Sequence, residues 1–274
     1  MIDLIKADFY RTRKYKSLYV VAVVCMLFSL LSALMFKGLD WAMTTMMTND
    51  MLVGIGGDLS ATDLSVLASF GYTSAFDATK GILISDTLIY CLTAIFIIVS
   101  GIEFASFTIK NSLMSGIKRS EVYWSKFAVS VFYTICYYLA FWASALLFNA
   151  LIYWDGFTAK EFLELCFIAV KQIPIYIGII AAGHCFVFMT QSNVGAIALY
   201  IATFMMFNTI LPIFNMIVPW EVDITLFFPL YQCIALTEPI SKTIEYVIIY
   251  GSTFAYIVAF LFVGYRKFNK AEIK

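Results

Sequence analysis

The sequence is poor in charge, in histidine and in proline. Charged residues fill 13% of its 274 positions, where a soluble domain averages about 25%. His184 is its single histidine, which leaves little scope for a metal site or a catalytic triad. No G-x-x-x-x-G-K-[ST] stretch occurs, so no P-loop is available to cradle nucleotide phosphates. HExxH, CxxC and GxSxG are missing as well. The six cysteines, at 25, 91, 136, 166, 185 and 233, are scattered, mostly within apolar runs. There they are expected to pack as small hydrophobes, neither forming disulfides nor binding metal. Lys+Arg and Asp+Glu are equal at 18 each, so net charge points to no partner. No basic stripe with interleaved aromatics argues for nucleic acid. No catalytic, cofactor or metal role is expected of this chain, so any energy-requiring work would draw on a partner.

What is present is apolar: 62% of residues are hydrophobic, against about 45–50% in soluble domains. The expected class is an all-α polytopic membrane protein, with residues 1–274 as a single transmembrane domain. Residues 1–17 carry the apolar stripe Ile2, Ile5 and Phe9 with five basic residues around it. That pattern predicts an interfacial helix, and no cleavable signal peptide is expected there. A first span is expected over 18–36, long enough for a hydrocarbon core of about 30 Å. Residues 37–80 hold five Asp and only two Lys, and read as an acidic outer loop; Gly54, Gly56 and Gly57 before Asp58 suggest a turn in it. A second span follows over 82–102. Asp86, near its outer end, either reaches the headgroups or faces a polar interior.

A third span is expected over 127–152, closed by the belt and turn Tyr153-Trp154-Asp155-Gly156. Residues 161–172 read as an outer interfacial helix that kinks at Pro174 into the fourth span. His184 lies near the inner end of that span, either packed or hydrogen-bonded, or acting as a proton relay. A fifth span is expected over 194–218, with Asn208 mid-span and Pro212 as a kink, and a last one over 244–263. Between them, residues 219–243 are apolar in two short bursts bounded by Pro219, Pro229 and Pro239. Neither burst can span, and the constraint on uncovered backbone at that depth predicts a re-entrant hairpin dipping from the outer face. With six spans and the N-terminus inside, thirteen Lys and Arg fall on the inner side, around 6–16, 110–126 and 266–274. Four Lys (37, 80, 160 and 242) fall outside, and Lys171 sits near an outer helix end. That bias predicts a cell membrane protein with both termini cytoplasmic.

The polar island between spans two and three, residues 103–126, is the most informative stretch. It reads EFASFTIKNSLMSGIKRSEVYWSK. A short helix is expected up to Ser115, with Gly116 as a stop. A second helix should then be capped by Ser120, with Glu121 in its first turn. On a continuous helix, Phe104, Phe107, Asn111 and Met114 share one stripe. The bland reading is a solvated loop with basic anchors.

The pattern Glu103, Thr108-Ile109-Lys110, Leu113, Gly116, Arg119-Ser120 and Lys126, placed after the second span, resembles the first cytoplasmic loop of type 2 ATP-binding-cassette permeases. Ile117 departs from it, since relatives often carry a Pro-like turn residue there. The resemblance implies a coupling helix that docks on a separate cytoplasmic ATPase, present in two copies. It assigns that contact to Glu103, Phe104, Phe107, Thr108, Lys110, Asn111, Leu113, Met114, Gly116 and Arg119. It also implies two short outer helices in 219–243. ATP and Mg would then sit on the ATPase, with no cofactor on this chain. Six spans alone rarely enclose a large pathway, which favours a homodimer or two paired permeases in the lipid bilayer. Aromatic-rich spans with scarce charge suit an amphipathic, hydrophobic or lipid-like substrate, and the resemblance implies a peptide, as in small toxin or bacteriocin exporters.

Glu103 is expected to fix the angle between span and coupling helix, paired with Lys110, with Arg119 or with a base on the ATPase. Two other classes stay open. One is a peptide-sensing or immunity protein that binds without transport. The other is a membrane-embedded enzyme, which would need Asp86, His184 and Asn208 to face one another.

Overall fold

The computed structural model describes residues 2–48, 72, 74–85, 87–106, 108–217, 223–237 and 243–271. The described residues are helical with no strand among them, and six helices are long and apolar enough to cross a membrane. That is the architecture of a multi-pass membrane protein.

Helix α1 (Ile2–Arg13) carries Asp3 in its first turn and Arg11 and Arg13 in its last. Both placements oppose the helix macrodipole. The chain turns at Lys14 and Tyr15, whose amides bond to the Arg11 and Thr12 carbonyls, and enters α2 (Lys16–Thr48). Here the expectation of a loop from Lys37 is corrected. The helix continues to Thr48, supported by the Lys37–Asp40 pair at 3.1 Å and by Thr45 bonding back to the Trp41 carbonyl. No proline interrupts this stretch. At about 1.5 Å per residue, its 33 residues outrun a hydrocarbon core of about 30 Å.

A second correction follows. Helix α3 (Ala75–Ile84) is separate from the second span and is capped by Ser74, whose hydroxyl accepts from the Asp77 amide. Thr79 accepts from Asn149 at 3.1 Å, and Lys80 pairs with Glu164 at 2.9 Å, so α3 lies against the ends of later helices. The expected Gly54–Asp58 turn and the position of Asp86 fall outside the described residues.

The second span, Thr87–Ala105, is built in pieces: α4 (Thr87–Cys91), α5 (Thr93–Phe96), a π turn (Ile97–Gly101) and α6 (Ile102–Ala105). Its Phe96 ring presses on Gly183, where any Cβ would clash with it. After Ser106 come α7 (Thr108–Met114) and α8 (Arg119–Tyr153). The turn between them places Gly116 at φ +89, a conformation that glycine adopts without strain. Ser120 does not cap α8. The cap lies two residues earlier, at Lys118, which makes no side-chain bond there.

Helix α9 (Ala159–Thr190) starts at a capping box in which Thr158 and Glu161 bond reciprocally. It runs through Pro174, so the expected outer helix and the fourth span are one element. Nearly all of 175–188 is buried, which makes α9 the axis of the bundle. Helix α10 (Asn193–Ile217) is peripheral by contrast, with only Ala196, Tyr200 and Phe204 buried. The described part of 219–243 holds a 3-10 turn (Ile224–Phe227) and α11 (Pro229–Ala235), two short helical pieces. The last span is α12 (Thr243–Lys270).

A neutral hydrogen-bond network fixes those two short pieces to the bundle. Tyr138 of α8 donates to the Gln172 carbonyl oxygen at 2.9 Å, and the Gln172 amide donates to the Cys233 carbonyl at 3.0 Å. Gln232 donates to the Leu226 carbonyl and to Ser252, and accepts from Thr253 at 3.0 Å. Both glutamines are fully buried, and unpaired buried amides would be strongly disfavoured in apolar surroundings.

Candidate functional site

At the loop end of the bundle, three segments distant in sequence bring four charges together. Helix α1 supplies Asp8 and Arg11, α6 supplies Glu103, and α8 supplies Lys126. The Lys126 ammonium bridges the Asp8 and Glu103 carboxylates, and Arg11 pairs with both. Ser125 adds a hydroxyl to the second Asp8 oxygen at 2.8 Å. Asp8, Glu103 and Lys126 are 4%, 3% and 2% exposed, so water contributes little to their solvation. Two carboxylates and two cations leave the group formally neutral, the condition under which buried charge is tolerated.

Local sequence explains the placement. Glu103 ends the apolar second span, and Lys126 sits two turns into α8, where apolar residues already dominate. Asp8 and Arg11 lie one turn apart on α1, so both can face the same neighbour. Phe9 follows them onto α8, its ring 4.9 Å from Phe132 and 5.3 Å from Tyr133. Helix α1 is therefore packed against the bundle through Ile5, Phe9 and the ionic group, while Ile2 is exposed.

The pairing expected for Glu103 is corrected here: its partners are Lys126 and Arg11, not Lys110 or Arg119. Arg119 is engaged elsewhere. Its guanidinium donates to the Phe268, Asn269 and Ala271 carbonyls at 2.8, 3.0 and 2.8 Å. These are carbonyls at the C-terminal end of α12, which have no amide of their own helix to accept from. The loop is thus held at both flanks, by the ionic group where it leaves α6 and by Arg119 where it enters α8.

Between these anchors the expected residues separate into two sets. Phe104 does not lie on an exposed stripe with Asn111 and Met114. The helix breaks at Ser106, and Phe104 is buried against Phe188 (5.2 Å) and Phe268 (6.3 Å). Thr108 spans the break by donating to the Glu103 carbonyl at 3.3 Å. Ile109 is buried, and Leu113 and Ile117 pack against the core. Lys110, Asn111, Met114 and Gly116 face outward, with Met114 77% exposed. Phe107 lies outside the described residues.

His184 is fully buried among the rings of Tyr123 (4.7 Å), Phe127 (5.6 Å) and Phe188 (4.6 Å). Neither ring nitrogen has a hydrogen-bond partner among the described residues. Asn208 accepts through its backbone carbonyl from Tyr231 at 3.1 Å, on a different helix from His184. Among the described residues, no three His, Cys, Asp or Glu side chains gather in a way that could hold a metal ion.

Sequence reasoning missed Asp8, Arg11 and Ser125. A usable signal existed: Lys126 borders the apolar third span, and a lysine carried into apolar surroundings requires a carboxylate. It did not say which of the 18 acidic residues would supply one. The glutamine network was missed for the same reason. No protein-family model matches this chain, and no curated protein matches it either.

Proposed function

We propose that this chain is the permease subunit of an ATP-binding-cassette exporter in a bacterial cytoplasmic membrane, working as a homodimer with two copies of a separate ATPase. Both termini and the 103–126 loop face the cytoplasm, α1 lies at the inner interface, and the 219–243 segment is a re-entrant hairpin at the outer face. The substrate is an amphipathic or hydrophobic peptide. The observation that carries the reading is the bracing of the loop. Glu103 and Arg119 tie its two flanks to α1, α8 and α12, while Lys110, Asn111 and Met114 remain outward. A short helix held at its base and carrying an exposed methionine at its tip can pass a push from a partner to several spans at once.

Met114→Asp tests this. An apolar side chain seated in a partner groove contributes about 1.5–3 kcal/mol, and a carboxylate there costs more. Wild-type chain should co-purify with a P-loop ATPase from its native membrane and support ATP-dependent peptide uptake into inverted vesicles. The variant should insert normally and lose both. Co-purification unaffected by the substitution would remove the coupling role. Binding of peptide with no ATP-dependent flux would favour the sensing or immunity reading.

A further inference from the structure

We propose that the groove between the end of α9 and the last turns of α12 is a binding site for one anionic phospholipid. The groove has a volume of about 560 Å³. One wall is apolar and outward-facing: Met189, Phe262 and Val263 are 40%, 60% and 41% exposed. The other wall is cationic, with Arg266, Lys267 and Lys270 and no acidic residue among the described residues that line it. The apolar wall precedes the cations along α12, so it lies toward the spanning part of the helix and the charges toward its end. An acyl chain against Phe262 and Val263 would place a phosphate among the three cations.

Basic residues in a last helical turn ordinarily serve the helix itself, by capping its carbonyls and opposing its dipole. Here Arg119 already takes the carbonyls of Phe268, Asn269 and Ala271. Arg266, Lys267 and Lys270 have no hydrogen bond to those groups and no acidic partner within ion-pair distance among the described residues. Arg266 and Lys270 are four residues apart, and Lys267 and Lys270 three, so like charges crowd one face. A bound anion relieves that repulsion. The shared chemistry is a phosphate; the attached apolar wall selects a lipid over a free ion. Basic pockets at helix ends bind such headgroups by this combination.

The test uses the purified full chain in neutral detergent, given equal amounts of phosphatidylglycerol and phosphatidylcholine of the same chain length. Native mass spectrometry reads which lipid is retained. The chain should prefer phosphatidylglycerol, by up to a hundredfold if each cation contributes fully as it does near an anionic surface. R266Q/K267Q/K270Q should lose that preference, and K267R/K270R should keep it. F262S/V263S leaves all three cations in place and should still weaken retention, so the proposal survives testing even if the triple variant does not fold. Equal retention of the two lipids by wild type, or an unchanged preference in a folded triple variant, overturns the site. Displacement of the lipid by millimolar inorganic phosphate overturns the lipid and leaves a free-anion site. None of these measurements involves an ATPase, so they stand apart from the function proposed above.

Discussion

The two ends of this bundle are locked by different chemistry. At the loop end, buried Asp8, Glu103 and Lys126 and the half-buried Arg11 form a charged group. In the other half, Tyr138, Gln172, Gln232 and Thr253 form a neutral chain that holds the 3-10 turn and α11. A neutral hydrogen bond contributes about 0.5–1.5 kcal/mol net, and stranding one of its buried partners costs about 1–3 kcal/mol. A buried ion pair adds little over a well-packed apolar substitute, but removing one partner costs about 3–5 kcal/mol. The charged end therefore acts as an all-or-none clasp on α1, α6 and α8. The neutral end can yield bond by bond, which suits short pieces that the proposed transport cycle would have to move.

The largest expected effect is at Lys126. Lys126→Met strands two carboxylates against Arg11 alone and should destabilise the protein by about 3–5 kcal/mol, read as unfolding in graded SDS. Adding Glu103→Gln removes one stranded charge and should recover much of that loss. A double variant no better than Lys126→Met would break the claim that charge balance is what holds this end together.

Glu103→Gln alone should cost less, about 1.5–3 kcal/mol, the range for a hydrogen bond to a charged group. The protein should still fold and bind its proposed ATPase, yet substrate-stimulated ATP turnover should fall severalfold. Glu103→Asp keeps the charge but shortens its reach, and should be intermediate. Wild-type turnover in Glu103→Gln, with cognate ATPase in reconstituted membranes, would leave the cluster as a structural clasp only.

At the neutral end, Gln172→Leu leaves the Tyr138 hydroxyl and the Cys233 carbonyl without their partner, at a cost of about 1–3 kcal/mol. Tyr138→Phe in the same background should cost nearly nothing more, since its bond is already gone. Additive losses in the same SDS titration would show that these two side chains are not coupled. The smallest expected effect comes from salt. Raising ionic strength to about 1 M shortens the screening length to about 3 Å, yet the buried cluster should keep its stability while the more exposed Lys80–Glu164 pair weakens. A strong salt dependence of α1 docking would mean that water reaches the cluster.

How much of this was legible beforehand depends on the range of the interaction. The short helix, the turn at Gly116 and the long helix into the third span follow from neighbouring residues, and they were read from them. The start of α8 lies two residues before the one Ser120 would set: Ser120 is a good cap by type, and local type does not decide which backbone amides are left over. The extension of α2 past Lys37 was missed because a charged, methionine-rich stretch reads as loop when only hydropathy is weighed. Phe104 was read as exposed because the break at Ser106 was not visible, and a continuous helix would have carried it outward.

The sequence by itself determined six apolar helices and the uneven placement of basic residues along the chain. Both depend on the transfer of local segments from water to hydrocarbon, which each segment decides nearly alone. Only the tertiary structure decided that Lys126 meets Asp8, 118 positions away in the chain, and that Arg119 closes the end of α12, about 150 positions away. A buried charge has to be neutralised. Any nearby opposite charge would serve, so the choice among candidates falls to the packing that brings one of them within reach.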